Sequence, residues 1–197
     1  MASDIFPPEL RTMAIVPRWS IVFTTEKDDI AKHSYFVTVY ARLIAKLIKW
    51  NGPMEYLILS ALFHDIDETI TGDIVSPVKK QIIDEDRMGQ FIDTKLYERL
   101  PSIMHLWNGL EMDATLAHAE HVQLIIKAAD RLDAVLFLIM EQRRGNTIVT
   151  EMIKSAMSLL EAAWRELPGP EALISGTWQT SVIPAINNHY TQGGRGL

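Results

Sequence analysis

The chain has 197 residues, of which 48% are apolar and 22% charged, and its formal net charge is −6. That profile fits one globular domain and argues against a surface that binds long nucleic acid. No apolar run reaches the roughly 18 residues of a membrane span, and the N-terminal MASDIFPPEL lacks the regions of a signal peptide. With no cysteine there is no disulfide, thiolate metal site or cysteine nucleophile, and a cytoplasmic location is expected.

In chain order, the first strong period is helical. Ser34 to Trp50 places Phe36, Val37, Tyr40, Leu43, Ile44, Leu47 and Ile48 at three- and four-residue steps, and Asn51-Gly52-Pro53 stops it. Met54 to His64 is apolar almost all round, the mark of a central helix. Thr71-Gly72-Asp73 is a turn signal, and a short helix is expected to start near Pro77. Arg87 to Leu100 is amphipathic and is interrupted by Pro101. Ala114 to Arg144 reads as one long helix ended by Gly145-Asn146. Another runs from Thr147 or Thr150 to Leu167, closed by Pro168-Gly169-Pro170. A last helix is expected from about Thr180 to Tyr190, with a frayed GGRGL tail. No alternating strand pattern, repeat or linker stands out. The expectation is an all-α fold, a single domain over 1–197 with six to nine helices, a motif-bearing core over about 17–140 and C-terminal helices over about 147–190. The nine methionines read as fillers between core helices.

Five residues read as one reaction centre: His33, the adjacent His64 and Asp65, Glu68, and the distant Asp130. Imidazole nitrogens with carboxylate oxygens suit a divalent metal of the Mn, Co, Ni or Zn type, and such an ion activates water at neutral pH. Each residue also has a plainer reading. His64 and Asp65 can be a helix-end histidine beside a solvated acid. Asp130 lies in the apolar run IIKAADRLDAVLFLI, where a buried carboxylate needs a cation; Lys127 or Arg131 can supply it instead, with Asp133 as the exposed acid of the pair. His33 can be a surface residue beside Ser34, a candidate helix cap. Glu68 falls three and four residues after Asp65 and His64, on the same face of a continuing helix, where it can orient water or handle a leaving-group proton; Asp67 is then the solvated acid. His105, His118, His121 and His189 read as structural or surface residues. Arg18 is a candidate phosphate contact and Trp19 a surface for a sugar or base, against a core tryptophan beside a surface arginine. Lys79 is a second candidate phosphate contact, or an exposed lysine beside Lys80.

The ordered set RW, HS, HD-x-x-E-x-x-x-GD-x-x-x-PVK and AAD resembles the HD-domain phosphohydrolases, and most closely the bacterial 5′-deoxynucleotidase branch. The match covers most of residues 17–140. It implies an all-α HD-domain fold, usually dimeric or of higher homo-oligomeric order, and one divalent metal ion held by His33, His64, Asp65 and Asp130. It further implies catalytic roles for Glu68 and Asp73, and a substrate pocket formed by Arg18, Trp19 and Lys79. Two departures flank the pocket: Lys32 stands where a glutamate commonly precedes the histidine, and TTEKDDIA replaces an RTENV-like run.

The expected reaction is hydrolysis of a small deoxynucleotide between the 5′ oxygen and the α-phosphorus, releasing deoxynucleoside and phosphate. The alternative cuts the same bond of a deoxynucleoside triphosphate and releases triphosphate, as in a related phage branch that acts on dATP; an added charge at Lys32 would suit that longer tail. A non-catalytic HD scaffold that binds nucleotide predicts loss of a ligand, and all four are present. A cyclic-nucleotide or ppGpp hydrolase is disfavoured by the RW and GD-x-x-x-PVK elements.

Overall fold

The structure, a computed structural model, describes residues 7–74, 85–113 and 115–191. Among the described residues a 3₁₀ helix, Pro8–Ala14, precedes nine α-helices: α1 Ile30–Leu47, α2 Met54–Leu62, α3 Glu68–Thr71, α4 Glu85–Arg99, α5 Pro101–Asp113, α6 Leu116–Arg143, α7 Thr150–Arg165, α8 Glu171–Thr177 and α9 Ile183–Thr191. No strand occurs among the described residues, so the all-α expectation stands. None of the described helices is long and apolar enough to cross a membrane.

The boundaries differ from the sequence reading where capping and turns intervene. α1 begins at Ile30 because Asp29, in extended backbone, accepts the Lys32 amide at 2.9 Å. Ser34 is therefore inside the helix and caps nothing, and His33 sits in its first turn. α2 stops at Leu62, and residues 63–67 form turns before α3 begins. His64 and Asp65 thus stand on a turn, and Glu68 does not lie on a continuation of their helix. Gly72 closes α3 with φ 73°, a left-handed conformation that glycine adopts at no steric cost. Pro101 both ends α4 and opens α5, a helix the periodicity did not suggest. Thr115 caps α6 through the His118 amide. Thr147–Val149 is a 3₁₀ turn leading into α7, and α8 with a π turn at Trp178–Val182 precedes α9. The helix expected near Pro77, and Lys79 with it, lie outside the described residues, as does the GGRGL tail.

Two apolar clusters organise these elements. In the larger, α6 packs against α1, α2 and α7. Ala41 and Ala45 of α1 and Ala128 and Ala129 of α6 are fully buried, small side chains that let the helices approach closely. Leu57, Ile125, Leu138, Leu160 and Trp164 fill the space around them. The smaller cluster joins the 63–67 turn to α4 through Phe63, Ile66, Ile92, Leu96 and Leu100. His33, His64, Asp65, Glu68 and Asp130 lie where the two clusters meet.

Candidate metal centre

His33 and Asp130 come from the two central helices. Its place in the first turn of α1 buries His33 completely, and Asp130 faces it from α6 with its Oδ1 3.3 Å from His33 Nε2. Opposite them, the turn after α2 brings His64 Nε2 to 3.2 Å from His33 Nε2. Asp65 Oδ2 lies 3.2 Å from His64 Nε2 and 3.5 Å from His33 Nε2. One donor atom each from His33, His64 and Asp130 fits within 4.8 Å of the others, with the Asp65 carboxylate alongside.

The outer nitrogens settle what these atoms can do. His64 Nδ1 is 2.8 Å from the Ala61 carbonyl, which only an N–H can satisfy. His33 Nδ1 is 2.7 Å from Asp133 Oδ2, a carboxylate oxygen that likewise accepts the ring N–H. Both Nε2 lone pairs therefore point into the same space as two carboxylates. Converging acceptors of this kind repel unless a cation or proton sits among them. Without a metal the proton goes to His33: burial opposes its charge, but hydrogen bonds to Asp130 and Asp133 outweigh that and raise its pKa to about 9. Asp130 moves the other way, to about 2, because its hydrogen bond to His33 and the charges around it overcome burial. Asp65 is lowered as well; the His64 hydrogen bond and both histidine charges exceed the effect of burial. The donor set and its geometry fit one divalent metal ion.

Asp133 overturns an expectation. It is 6% exposed, against a half-buried Asp130, and it orients His33 instead of facing solvent. The three-residue step from Asp130 puts both acids on one face of α6, a signal the sequence held. Arg18 also turns inward: its guanidinium lies 3.2 Å from Asp28, 3.5 Å from Asp133 and 3.9 Å from Asp130. Asp28, in an irregular stretch, carried no sequence signal; burial raises its pKa although Arg18 opposes the rise. Trp19 stacks on Phe137 of α6 at 5.2 Å, with the Arg18 guanidinium 5.7 Å from its ring centre. Its buried Nε1 has no acceptor among the described residues.

Glu68 opens α3 beside the cluster. Burial, and then the charges of Asp65, Asp73 and Asp67, push its pKa up to about 8, with Arg18 pulling against them. Asp73 is half-buried just past the Gly72 turn. Asp67 is not a solvated acid; it is half-buried and lines, with His64, Leu96, Tyr97 and Trp107, a cavity of about 480 Å³ beside the turn. Lys32 pairs with Glu26. Among the other histidines, His118 and His121 contact Trp50, and His105 packs edge-on to Tyr97.

The fold is that of the HD-domain phosphohydrolases. The chain aligns over 91% of its length with 95% of the cyanophage S-2L HD phosphohydrolase DatZ, solved with dA and one catalytic Zn²⁺, at a TM-score of 0.63 and 20% identity. An HD-domain phosphohydrolase from Listeria innocua aligns over 95% of each chain at a TM-score of 0.61 and 18% identity. Within that class, residues 6–170 match the family model of the YfbR-like 5′-deoxynucleotidases, and the chain belongs to that family. Among its relatives are the 4′-phosphooxetanocin A phosphatase of Priestia megaterium, 30% identical over 78% of this chain and 81% of that protein, and the 5′-deoxynucleotidase YfbR of Salmonella typhi, 30% identical over 74% and 77%.

Proposed function

We propose that the chain hydrolyses 5′-deoxynucleoside monophosphates to deoxynucleoside and phosphate. The observation that carries this reading is the convergence of His33, His64 and Asp130 on one cation-sized space, with Asp65 next to the two histidines and Glu68 beside it. His33, His64 and Asp130, with Asp65, would hold a divalent cation, which would supply Lewis-acid activation of water and phosphate.

The chain's own residues supply the rest. Arg18, at the edge of the acids, offsets charge on the phosphate oxygens. Trp19 forms the wall against which the deoxyribose rests, fixed from behind by Phe137, so that a 2′-hydroxyl meets a ring instead of a partner. Water's oxygen bonds to phosphorus while the bond from phosphorus to O5′ breaks. A Glu68 carboxyl that keeps its proton near neutral pH is matched to protonating the departing O5′. Asp73, which shares in raising Glu68, takes up the water's proton.

Lys32 lends no support to the triphosphate. The charge that would suit a longer tail is paired with Glu26, which also pairs with Arg144. The names of the two relatives point the same way, to a phosphatase and a 5′-deoxynucleotidase. A homo-oligomer in the cytoplasm completes the reading. Tyr35, Val39, Leu43 and Leu47 form an exposed apolar stripe at four-residue steps along α1, which supports association of copies; sedimentation equilibrium tests it.

The deciding experiment incubates the metal-loaded protein with the four deoxynucleoside monophosphates, the four triphosphates and their ribose counterparts, and identifies the phosphorus product by ³¹P NMR. Phosphate released from deoxynucleoside monophosphates is expected. Triphosphate released from dATP alone would replace this reading with the alternative one.

A further inference from the structure

The stretch from Pro17 to Asp29 contains no helix or strand, yet it is fixed at both its base and its tip. At the base, Pro17 and Asp29 form an antiparallel bridge, Arg18 N–H donates to the Asp28 carbonyl at 3.0 Å, and Ile30 N–H donates to Val16 at 3.2 Å. The tip rests on Glu141, in the last turn of α6. That side chain is fully buried and accepts the Thr25 amide at 2.5 Å, the Thr25 hydroxyl at 2.8 Å and the Glu26 amide at 3.0 Å. The Asn146 side-chain amide donates to Glu141 at 3.0 Å and to the Phe23 carbonyl at 2.9 Å. Arg144 joins the group, 3.4 Å from Glu141 and paired with Glu26.

Burial alone would raise the Glu141 pKa, but the donors from Thr25, Asn146 and Glu26 hold it down to about 2. A carboxylate saturated in this way moves no protons and serves as an anchor. The loop it anchors carries Arg18 and Trp19. Trp19 has φ 61°, a conformation that a bulky side chain keeps only when its surroundings over-determine it. The anchor and the site also share one helix face. Asp130, Asp133, Phe137 and Glu141 follow at steps of three, four and four along α6. In that order they face His33, hold His33, stack on Trp19 and grip the loop tip.

We propose that Glu141 is a positioning residue for substrate affinity: by gripping Thr25 and Glu26 it holds Arg18 and Trp19 in register with the metal centre. This rests on the reading of Arg18 and Trp19 as substrate contacts. The test is Glu141→Gln in the metal-loaded protein. Glutamine keeps the volume, but its NH₂ must face at least one of the loop's donors. The expected result is a KM for deoxynucleotide raised about tenfold with kcat within about threefold of the parent, at unchanged metal content. Hydrogen exchange should quicken across residues 18–28 and stay as it was in α1 and α6. Thr25→Val, which deletes one donor, should shift KM the same way by less.

Unchanged KM and exchange in Glu141→Gln would overturn the proposal. So would a parallel fall in kcat, metal content and protection throughout the chain, which marks general damage. If Glu141→Gln does not fold, Thr25→Val decides: a raised KM at constant kcat supports the role and no change removes it. If the parent protein hydrolyses no deoxynucleotide, the substrate assignment fails by itself, and the exchange pattern still decides whether Glu141 holds the loop.

Discussion

The two halves of the candidate metal centre are held by different means. His33, Asp130 and Asp133 stand on α1 and α6, whose contact is the middle of the larger apolar cluster. His64, Asp65 and Glu68 stand on a turn and the four-residue α3, which rest on the smaller cluster against α4. The helix-borne half inherits the rigidity of two long elements and is oriented by a buried carboxylate on His33 Nδ1. In the turn-borne half a backbone carbonyl stands behind His64, and Phe63, Ile66 and Leu96 pack the turn in position. The difference teaches that a cation here would join two separately packed parts, linking its binding to the docking of the smaller cluster on the larger.

Removing a helix-borne ligand should break the centre outright. Asp130→Ala is expected to lose bound metal, with turnover falling by roughly three orders of magnitude or more, while circular dichroism keeps its helical signal. Full activity in that variant would contradict the assignment. Glu68→Gln, in the turn-borne half, should separate chemistry from binding. Turnover is expected to fall about 100- to 10,000-fold with metal content at the parent level by elemental analysis.

Asp133→Asn tests the orienting hydrogen bond. Metal affinity, followed by competition with a chelating dye, should weaken roughly 10- to 100-fold with the four ligands in place. Leu96→Ala tests the opposite side. Leu96 is 4% exposed, and truncating a buried leucine costs about 2–5 kcal/mol. Denaturant titration should show that loss. Hydrogen exchange should show α4 and the 63–67 turn loosened, with α1 and α6 as before; uniform loosening would mean that the two clusters are one cooperative unit.

A pH dependence is also expected in the metal-free protein. Glu68 is raised from its ordinary 4.5 to about 8, so between those values the folded chain holds a proton that the unfolded chain has lost. Its contribution to stability is complete below about 4.5 and disappears as the pH rises through 8. His33, raised from 6.5 to about 9, acts with the same sign over a higher window. Metal-free protein should therefore melt at a lower temperature at pH 8 than at pH 5, and Glu68→Gln should reduce that difference. An identical difference in the variant would show that Glu68 carries no raised pKa.

Much of the candidate site was legible because ligand types and their order are properties of the chain. His33, His64, Asp65 and Asp130 were singled out through the ordered motifs that resemble the HD-domain phosphohydrolases; donor atoms of His33, His64 and Asp130 lie within 4.8 Å of one another, with Asp65 next to the two histidines. Asp133 was misjudged because three residues from Asp130 on a helix is one face, so both acids share it and neither is left to solvent. Glu141 was passed over because its partners, Thr25, Glu26 and Asn146, lie in loops whose course no period encodes. The same reason hid the inward turn of Arg18 toward Asp28.

By itself the sequence determined the helical class and the long α1 and α6, since apolar spacing is local, and its ordered motifs named the candidate metal ligands. Only the tertiary structure decided that His64 and Asp65 sit on a turn, that Asp133 holds His33, and that the loop bearing Arg18 and Trp19 is tied to the end of α6. Those outcomes depend on which surfaces meet, and buried polar groups find their partners only once distant segments have packed.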